Sequence, residues 1–274
     1  MYHIEKILNN NSILVSKGHE EMIVLLKGIG FGKKVDDRID IPRNAKKYIM
    51  QKSYRGKNFT NDIFNYIDPV FLEIASEIIR ETQKVFENVD EDILLPLADH
   101  IYFAIKRMEN QILPMNPFKK DIQIFFPEEH KIALEAKNII RKYISKEIND
   151  DEVGFITLHV HSAVSNNAVS ESMEVTRIIH ESIVRLEEDL QISINLESVS
   201  YVRLMNHIKF LMLRLNKNET LQMDITEFTK TKFPFAYEQS KRICHDLEKA
   251  LNHTMPKSEI GYLALHLERI LSEI

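Results

Sequence analysis

The chain has 274 residues, a net charge of −5, 44% apolar and 28% charged residues, and one cysteine. That length accommodates two or three domains and the balance is that of an ordinary globular protein, while no apolar run approaches the roughly 18–20 residues that cross a bilayer. Met1–Lys6 lacks an apolar signal core, and Cys244 has no partner for an intrachain disulfide and reads as a small core residue, so a cytoplasmic protein without membrane insertion is expected.

The charge is divided unevenly. Residues 1–58 hold 12 Lys/Arg and 6 Asp/Glu, and the remainder holds 24 and 35. A basic head on an acidic body points to a polyanion at the head. Five of the seven glycines fall in the first 56 residues, and the pattern there is β-structure. Ile4, Lys6 and Leu8 begin an alternating strand that Asn9-Asn10-Asn11 breaks. Ser12–Ser16 is a second strand, Lys17-Gly18-His19-Glu20 a turn, and Glu21–Leu26 the returning strand. Gly28-Ile29-Gly30-Phe31-Gly32 is a further break, and Ala45–Gln51 a last strand with Tyr48 and Met50 on one face. About four short strands bury little surface, so pairing with a second copy is expected. Asparagine side chains suit base edges and 2′-hydroxyls. Lys6, Lys27, Lys33 and Lys34 can neutralise phosphates. Phe31 is either an exposed aromatic for stacking on a base or a core side chain, and spacing alone favours the core.

Residues 53–62 are polar and suit a linker. From Ile63 the pattern is helical. Phe71, Ile74, Ala75, Ile78 and Ile79 recur at spacings of three and four, and Ile93–Met108 and Ile132–Ile144 behave alike. Glu152–Ala163 is crowded with Val, Phe, Ile and Thr and contains Gly154. It is read as helix because Glu259–Leu271 matches it and is plainly helical.

That match belongs to a longer repeat. Shifted by 107 positions, residues 97–161 fall on 204–268 without a gap. Leu97, His100, Ile101, Phe103 and Arg107 land on Leu204, His207, Ile208, Phe210 and Arg214. Glu152, Gly154, Leu158 and His159 land on Glu259, Gly261, Leu265 and His266. A duplication predicts two similar domains in tandem. Each copy holds two histidines 59 residues apart. His100 and Arg107 share a helix face, as do His207 and Arg214, and an imidazole beside a guanidinium is a plausible phosphoryl site, with Asp99 adjacent. The alternative is ordinary polar contact between helices. A metal set of Asp99, His100, His159 and His161 is disfavoured, because the second copy has Asn206 and Glu268 in place of Asp99 and His161. His130, His180, His245 and His253 have no histidine counterpart and are read as surface or structural.

These segments resemble a known family. Ile7-Leu8-Asn9-Asn10-Asn11 and Lys27-Gly28-Ile29-Gly30-Phe31-Gly32-Lys33-Lys34 resemble the RNA-binding head of the BglG/SacY-type transcriptional antiterminators. Ala98-Asp99-His100-Ile101, Gly154-Phe155-Ile156-Thr157-Leu158-His159, Asn206-His207-Ile208-Lys209-Phe210 and Glu259-Ile260-Gly261-Tyr262-Leu263-Ala264-Leu265-His266 are similar to the histidine motifs of that family's two phosphotransferase-system regulation domains. Leu26 departs from the pattern, where many relatives have glycine. The resemblance implies a small antiparallel β-sheet head (1–56), a linker (57–62) and two all-α helical bundles (63–169 and 170–274). It implies a homodimer that binds a leader-RNA hairpin through Lys6, Asn9, Asn10, Asn11, Lys27, Gly28, Gly30, Phe31, Lys33 and Lys34, and so prevents termination of a sugar-utilisation operon. It implies phosphorylation of His100, His159, His207 and His266 by the histidine phosphocarrier protein and a sugar-specific permease, supported by Asp99, Arg107 and Arg214. No enzymatic activity, cofactor or metal is expected. The rival is a DNA-binding activator with the same regulation domains, which needs a helix-turn-helix that residues 1–58 do not suggest.

Overall fold

The computed structural model describes residues 1–18, 20–49, 67–112, 114–165 and 168–273. His19, Met50, Gln51, the linker 57–62 and Ile63 lie outside them. Five strands come first: β1 Tyr2–Asn9, β2 Ser12–Lys17, β3 Glu20–Leu25, β4 Arg38–Ile39 and β5 Lys46–Ile49. Ten α-helices follow among the described residues. They are α1 Val70–Val85, α2 Leu94–Glu109, α3 Lys119–Phe125, α4 Pro127–Ile144, α5 Asp150–Ser165, α6 Val169–Leu190, α7 Val199–Lys217, α8 Thr226–Lys232, α9 Pro234–Leu251 and α10 Lys257–Leu271. The chain forms two compact units, one of residues 1–115 and 129–166, the other of 116–128 and 167–274.

In the first unit the strands form one antiparallel sheet in the order β4-β1-β2-β3-β5. The sequence pattern shows four strands. The extra one, β4, is two residues long, too short to leave an alternation. Residues opposite each other in β2 and β3 pair as Ile13 with Val24, Leu14 with Ile23 and Val15 with Met22. Successive side chains point to opposite faces, so the apolar runs of β2 and β3 supply both. Ile13, Val15, Met22 and Val24 join Ile4, Ile29 and Ala45 in a small core of the head. Leu14, Ile23, Leu25 and Tyr48 enter the same hydrophobic cluster as Phe71, Leu72, Ile78 and Ile79 of α1. The surface that four short strands cannot bury among themselves is thus covered within the chain. Tyr48 and Ser76 hydroxyls hydrogen-bond across this contact at 2.7 Å, and burial pushes the Tyr48 phenol up to about 12.

Helix α1 buries Phe71, Ile74, Ala75, Ile78 and Ile79, the stripe that its spacing predicts, and packs on α2. The β-branched segment 152–163 is helix α5. The Asn149 side chain accepts the Glu152 N–H at 2.9 Å, capping an orphan donor of its first turn. Burial of Val153, Ile156 and Val160 in the core outweighs the weak propensity of these residues and of Gly154.

In the second unit α9 and α10 pack together, with α7 and α8 on α10. Gly261 makes the α8 contact possible, since a Cβ there would lie 3.0 Å from the backbone of Thr226. Asp121 on α3 is buried and accepts hydrogen bonds from the Tyr201 hydroxyl and from His180 Nδ1, the latter at 2.8 Å. His180 is therefore a structural fastener between α3 and α6. Cys244 is buried in the same unit, and burial, with Glu259 and Glu248 nearby, raises its thiol to about 12. It is a core side chain.

Candidate functional site

The head's asparagine turn is built by its own side chains. Asn9 Oδ1 accepts the Asn11 N–H at 2.7 Å and the Ser12 hydroxyl at 2.8 Å. Asn11 Oδ1 accepts the Gly28 N–H at 3.0 Å, and the Asn10 carbonyl accepts the Gly30 N–H at 3.0 Å. The turn and the glycine loop are one structure. Gly30 sits so close that a Cβ would come within 2.2 Å of the Asn9 carbonyl oxygen. Phe31 projects from the tip of this loop and is 75% exposed. The core reading that spacing favours is wrong there, because the flanking turns lift the ring off the sheet. Asn10, Lys27, Gly28, Lys33 and Lys34 are exposed around it, whereas Lys6, Asn9 and Asn11 are half-buried. The amide nitrogens of Asn9 and Asn11 donate to the Glu73 carboxylate of α1, at 2.9 and 3.4 Å. No sequence pattern links residues more than 60 positions apart in this way.

The histidines form two constellations of the same design. In the first unit, α2 and α5 bring the His100 and His159 rings to a centroid separation of 4.8 Å. Glu152, two turns before His159 on α5, is fully buried. Its carboxylate accepts a 2.8 Å hydrogen bond from Arg107 Nη2 and lies 3.3 Å from His100 Nε2. Burial pushes the Glu152 carboxyl up, but His100 and Arg107 outweigh this and hold it below its ordinary value. Burial, with His100 beside it, drives His159 well below the usual imidazole range. Phe155 meets the His100 ring edge-on at 6.0 Å.

In the second unit, α7 and α10 bring His207 and His266 to the same 4.8 Å. Arg214 grips buried Glu259 with two hydrogen bonds of 2.8 Å, and His207 Nε2 lies 3.5 Å from the same carboxylate. Burial, with His266 and Arg214 nearby, lowers His207 to about 3. Burial and the charges of Arg269 and Arg203 lower His266 to about 4. Neutral imidazoles keep a nucleophilic lone pair at neutral pH.

The pairing of each histidine with its distant partner thus matches the spacing in the sequence. Arg107 and Arg214 stand in the same constellations as His100 and His207, as the shared helix face predicts. Their guanidinium groups hydrogen-bond Glu152 and Glu259. Those two glutamates are the residues that sequence reading missed as site members. Their retention in both copies, seven residues before the second histidine, was the available signal. Asp99 is half-buried beside His100. His161 turns to Glu129 Oε1, at 3.0 Å, and His130 Nδ1 lies 3.2 Å from the Thr157 hydroxyl.

Comparisons with known proteins cover almost the whole chain. The CAT RNA binding domain family matches residues 2–56, and the PRD domain family matches 72–163 and again 180–270. The PtsGHI operon antiterminator of Bacillus subtilis is 32% identical over 278 residues, spanning 100% of this chain and 98% of that protein. Protein GlcT of Staphylococcus haemolyticus is 30% identical across 100% of this chain and 97% of its own length. A crystal structure of GlcT CAT-PRDI, 35% identical, superposes with a TM-score of 0.52 over 60% of this chain and 99% of that one.

Proposed function

The chain belongs to the transcriptional antiterminators built from a CAT RNA binding domain and two PRD domains, and from that membership we propose how its own residues divide the work. The head, proposed as residues 1–56, binds a leader-RNA hairpin and keeps an overlapping terminator from forming. Asn9, Asn10, Asn11, Lys27, Phe31, Lys33 and Lys34 form the RNA face, with Lys6, Gly28 and Gly30 shaping it. The regulation domains, proposed as 63–169 and 170–274 after a linker at 57–62, accept phosphoryl groups on His100, His159, His207 and His266 from the histidine phosphocarrier and a permease of the sugar phosphotransferase system. The target is a sugar-utilisation operon; two of the relatives are named as antiterminators of an operon or of genes. The protein works as a homodimer in the cytoplasm and is a regulator rather than an enzyme.

The observation that carries the regulatory half is the recurrence of one geometry. Two histidines that lie 59 positions apart meet at 4.8 Å in both units, each pair beside a buried glutamate held by an arginine. Core packing alone gives no reason to keep polar rings at the same place twice. A phosphoryl group brings about −1.5 to −2 charges and three acceptor oxygens, enough to rearrange such a site.

The test is transcription in vitro from a template carrying the leader hairpin and terminator. Readthrough is expected to require the chain and to change when purified phosphocarrier and permease domains phosphorylate it. Readthrough indifferent to phosphorylation overturns the regulatory half. Equal binding to duplex DNA of the hairpin sequence overturns the RNA half and favours a DNA-binding activator.

A further inference from the structure

The four histidines do not bury the same ring nitrogen. His100 Nε2 and His207 Nε2 are buried, and so are His159 Nδ1 and His266 Nδ1, each without an aligned hydrogen bond. The other ring nitrogen of each histidine is not among these sealed, unpartnered atoms, and His100 and His207 keep 16% and 9% side-chain exposure. Phosphoryl transfer between proteins needs the donor phosphorus in line with an acceptor lone pair at near-contact distance. A nitrogen sealed from solvent cannot be approached in that way.

We propose that the phosphoryl group is carried on Nδ1 of His100 and His207 and on Nε2 of His159 and His266, with Glu152 and Glu259 as the positioning residues of the first histidine in each pair. The inference rests on the reading of these histidines as acceptors. The two glutamates face Nε2 of His100 and His207 at 3.3 and 3.5 Å. A buried carboxylate beside a ring nitrogen favours the tautomer with the proton on that nitrogen. The proton therefore sits on Nε2 and the lone pair on Nδ1. In the transfer, Nδ1 forms a bond to phosphorus while the donor's P–N bond of a phosphohistidine, or P–S bond of a phosphocysteine, breaks. The electron pair of that bond returns to the donor atom. The acceptor ring, still carrying its Nε2 proton, becomes positively charged as the N–P bond forms, and the facing carboxylate stabilises that charge. Arg107 and Arg214 hold the carboxylates in place from the far side. His159 and His266 have their Nδ1 buried, which leaves Nε2 as the nitrogen for transfer, with no carboxylate partner of this kind among the contacts of the described residues.

The isomer decides the matter. The full-length chain is phosphorylated with a purified phosphohistidine carrier and, separately, with a phosphocysteine permease domain. Sites are located by mass spectrometry under alkaline conditions, and the attachment atom is read by phosphorus–nitrogen NMR. Expected are 1-phosphohistidine (Nδ1) at His100 and His207 and 3-phosphohistidine (Nε2) at His159 and His266. Opposite isomers at labelled sites overturn the atom assignment while leaving the acceptors standing. Label on none of the four overturns the acceptor reading itself. Glu152→Gln is expected to slow labelling of His100 on the order of a hundredfold and to leave labelling of His207 in the same molecules at its wild-type rate, which serves as an internal control for folding. Glu259→Gln should do the converse. Unchanged rates at His100 and His207 in folded variants overturn the positioning role.

Discussion

Single side chains carry effects that can be measured apart from one another. Phe31 is 75% exposed and contributes little to the head's core. Phe31→Ala should leave the melting temperature of the full chain within about a degree, a surface substitution in stability terms. It should weaken RNA binding by about 1–3 kcal/mol, the worth of one stacked base. Calorimetry and gel-shift titration of the same preparation separate the two. Gly30→Ala should do the opposite first, since its methyl would occupy the Asn9 carbonyl and unseat the whole glycine loop. The histidines set a pH dependence whose sign follows from burial. His207 and His266 fall to about 3 and about 4 in the folded chain, against about 6.5 when unfolded. Below that value the unfolded state binds more protons, so stability present above pH 6.5 is lost as the pH falls toward 4. Thermal unfolding of the wild type should shift downward between pH 7 and 5. A His207→Gln, His266→Gln variant should shift less over the same range.

At the scale of elements, the join between sheet and α1 is the part that local sequence could least reveal. Tyr48→Phe removes the hydrogen bond to buried Ser76 and should cost about 1–2 kcal/mol in urea unfolding. Glu73 holds Asn9 and Asn11 by their amide nitrogens. If RNA needs those amides, it must first displace the carboxylate. Glu73→Ala should therefore tighten RNA binding of the full chain about tenfold, the worth of a hydrogen bond to a charged group. Unchanged affinity would place these asparagines outside the RNA contact. The strands β1 to β3 were legible because alternation and the Asn and Gly breaks are local signals. The two-residue β4 left no pattern, and the exposure of Phe31 depended on turns that lift it. Helix α5 was legible only through its clearer copy. The histidine pairs were visible as a repeat, but the role of Glu152 and Glu259 was not. Retention shows that a residue matters without showing which side chain it faces.

For the whole molecule, the uneven charge predicts how binding responds to salt. With RNA bound at the basic head, as proposed, affinity should fall steeply with ionic strength. Lys33→Ala should lower the slope of log affinity against log salt by about one. The shared hydrophobic cluster has a further consequence. Leu14, Ile23, Leu25 and Tyr48 lie on one face of the head and are buried with α1 residues of the same chain. Any state in which the head works away from α1 exposes these four side chains together, and such a patch seeks another cover. In the homodimer proposed above, a second released head with the same four side chains exposed is one such cover. Release within one chain and association between chains then draw on the same surface and become a single equilibrium governed by mass action. Dilution should return the head to its own α1. The fraction of chains able to capture RNA should rise more steeply than linearly with protein concentration, whichever signal loosens the join.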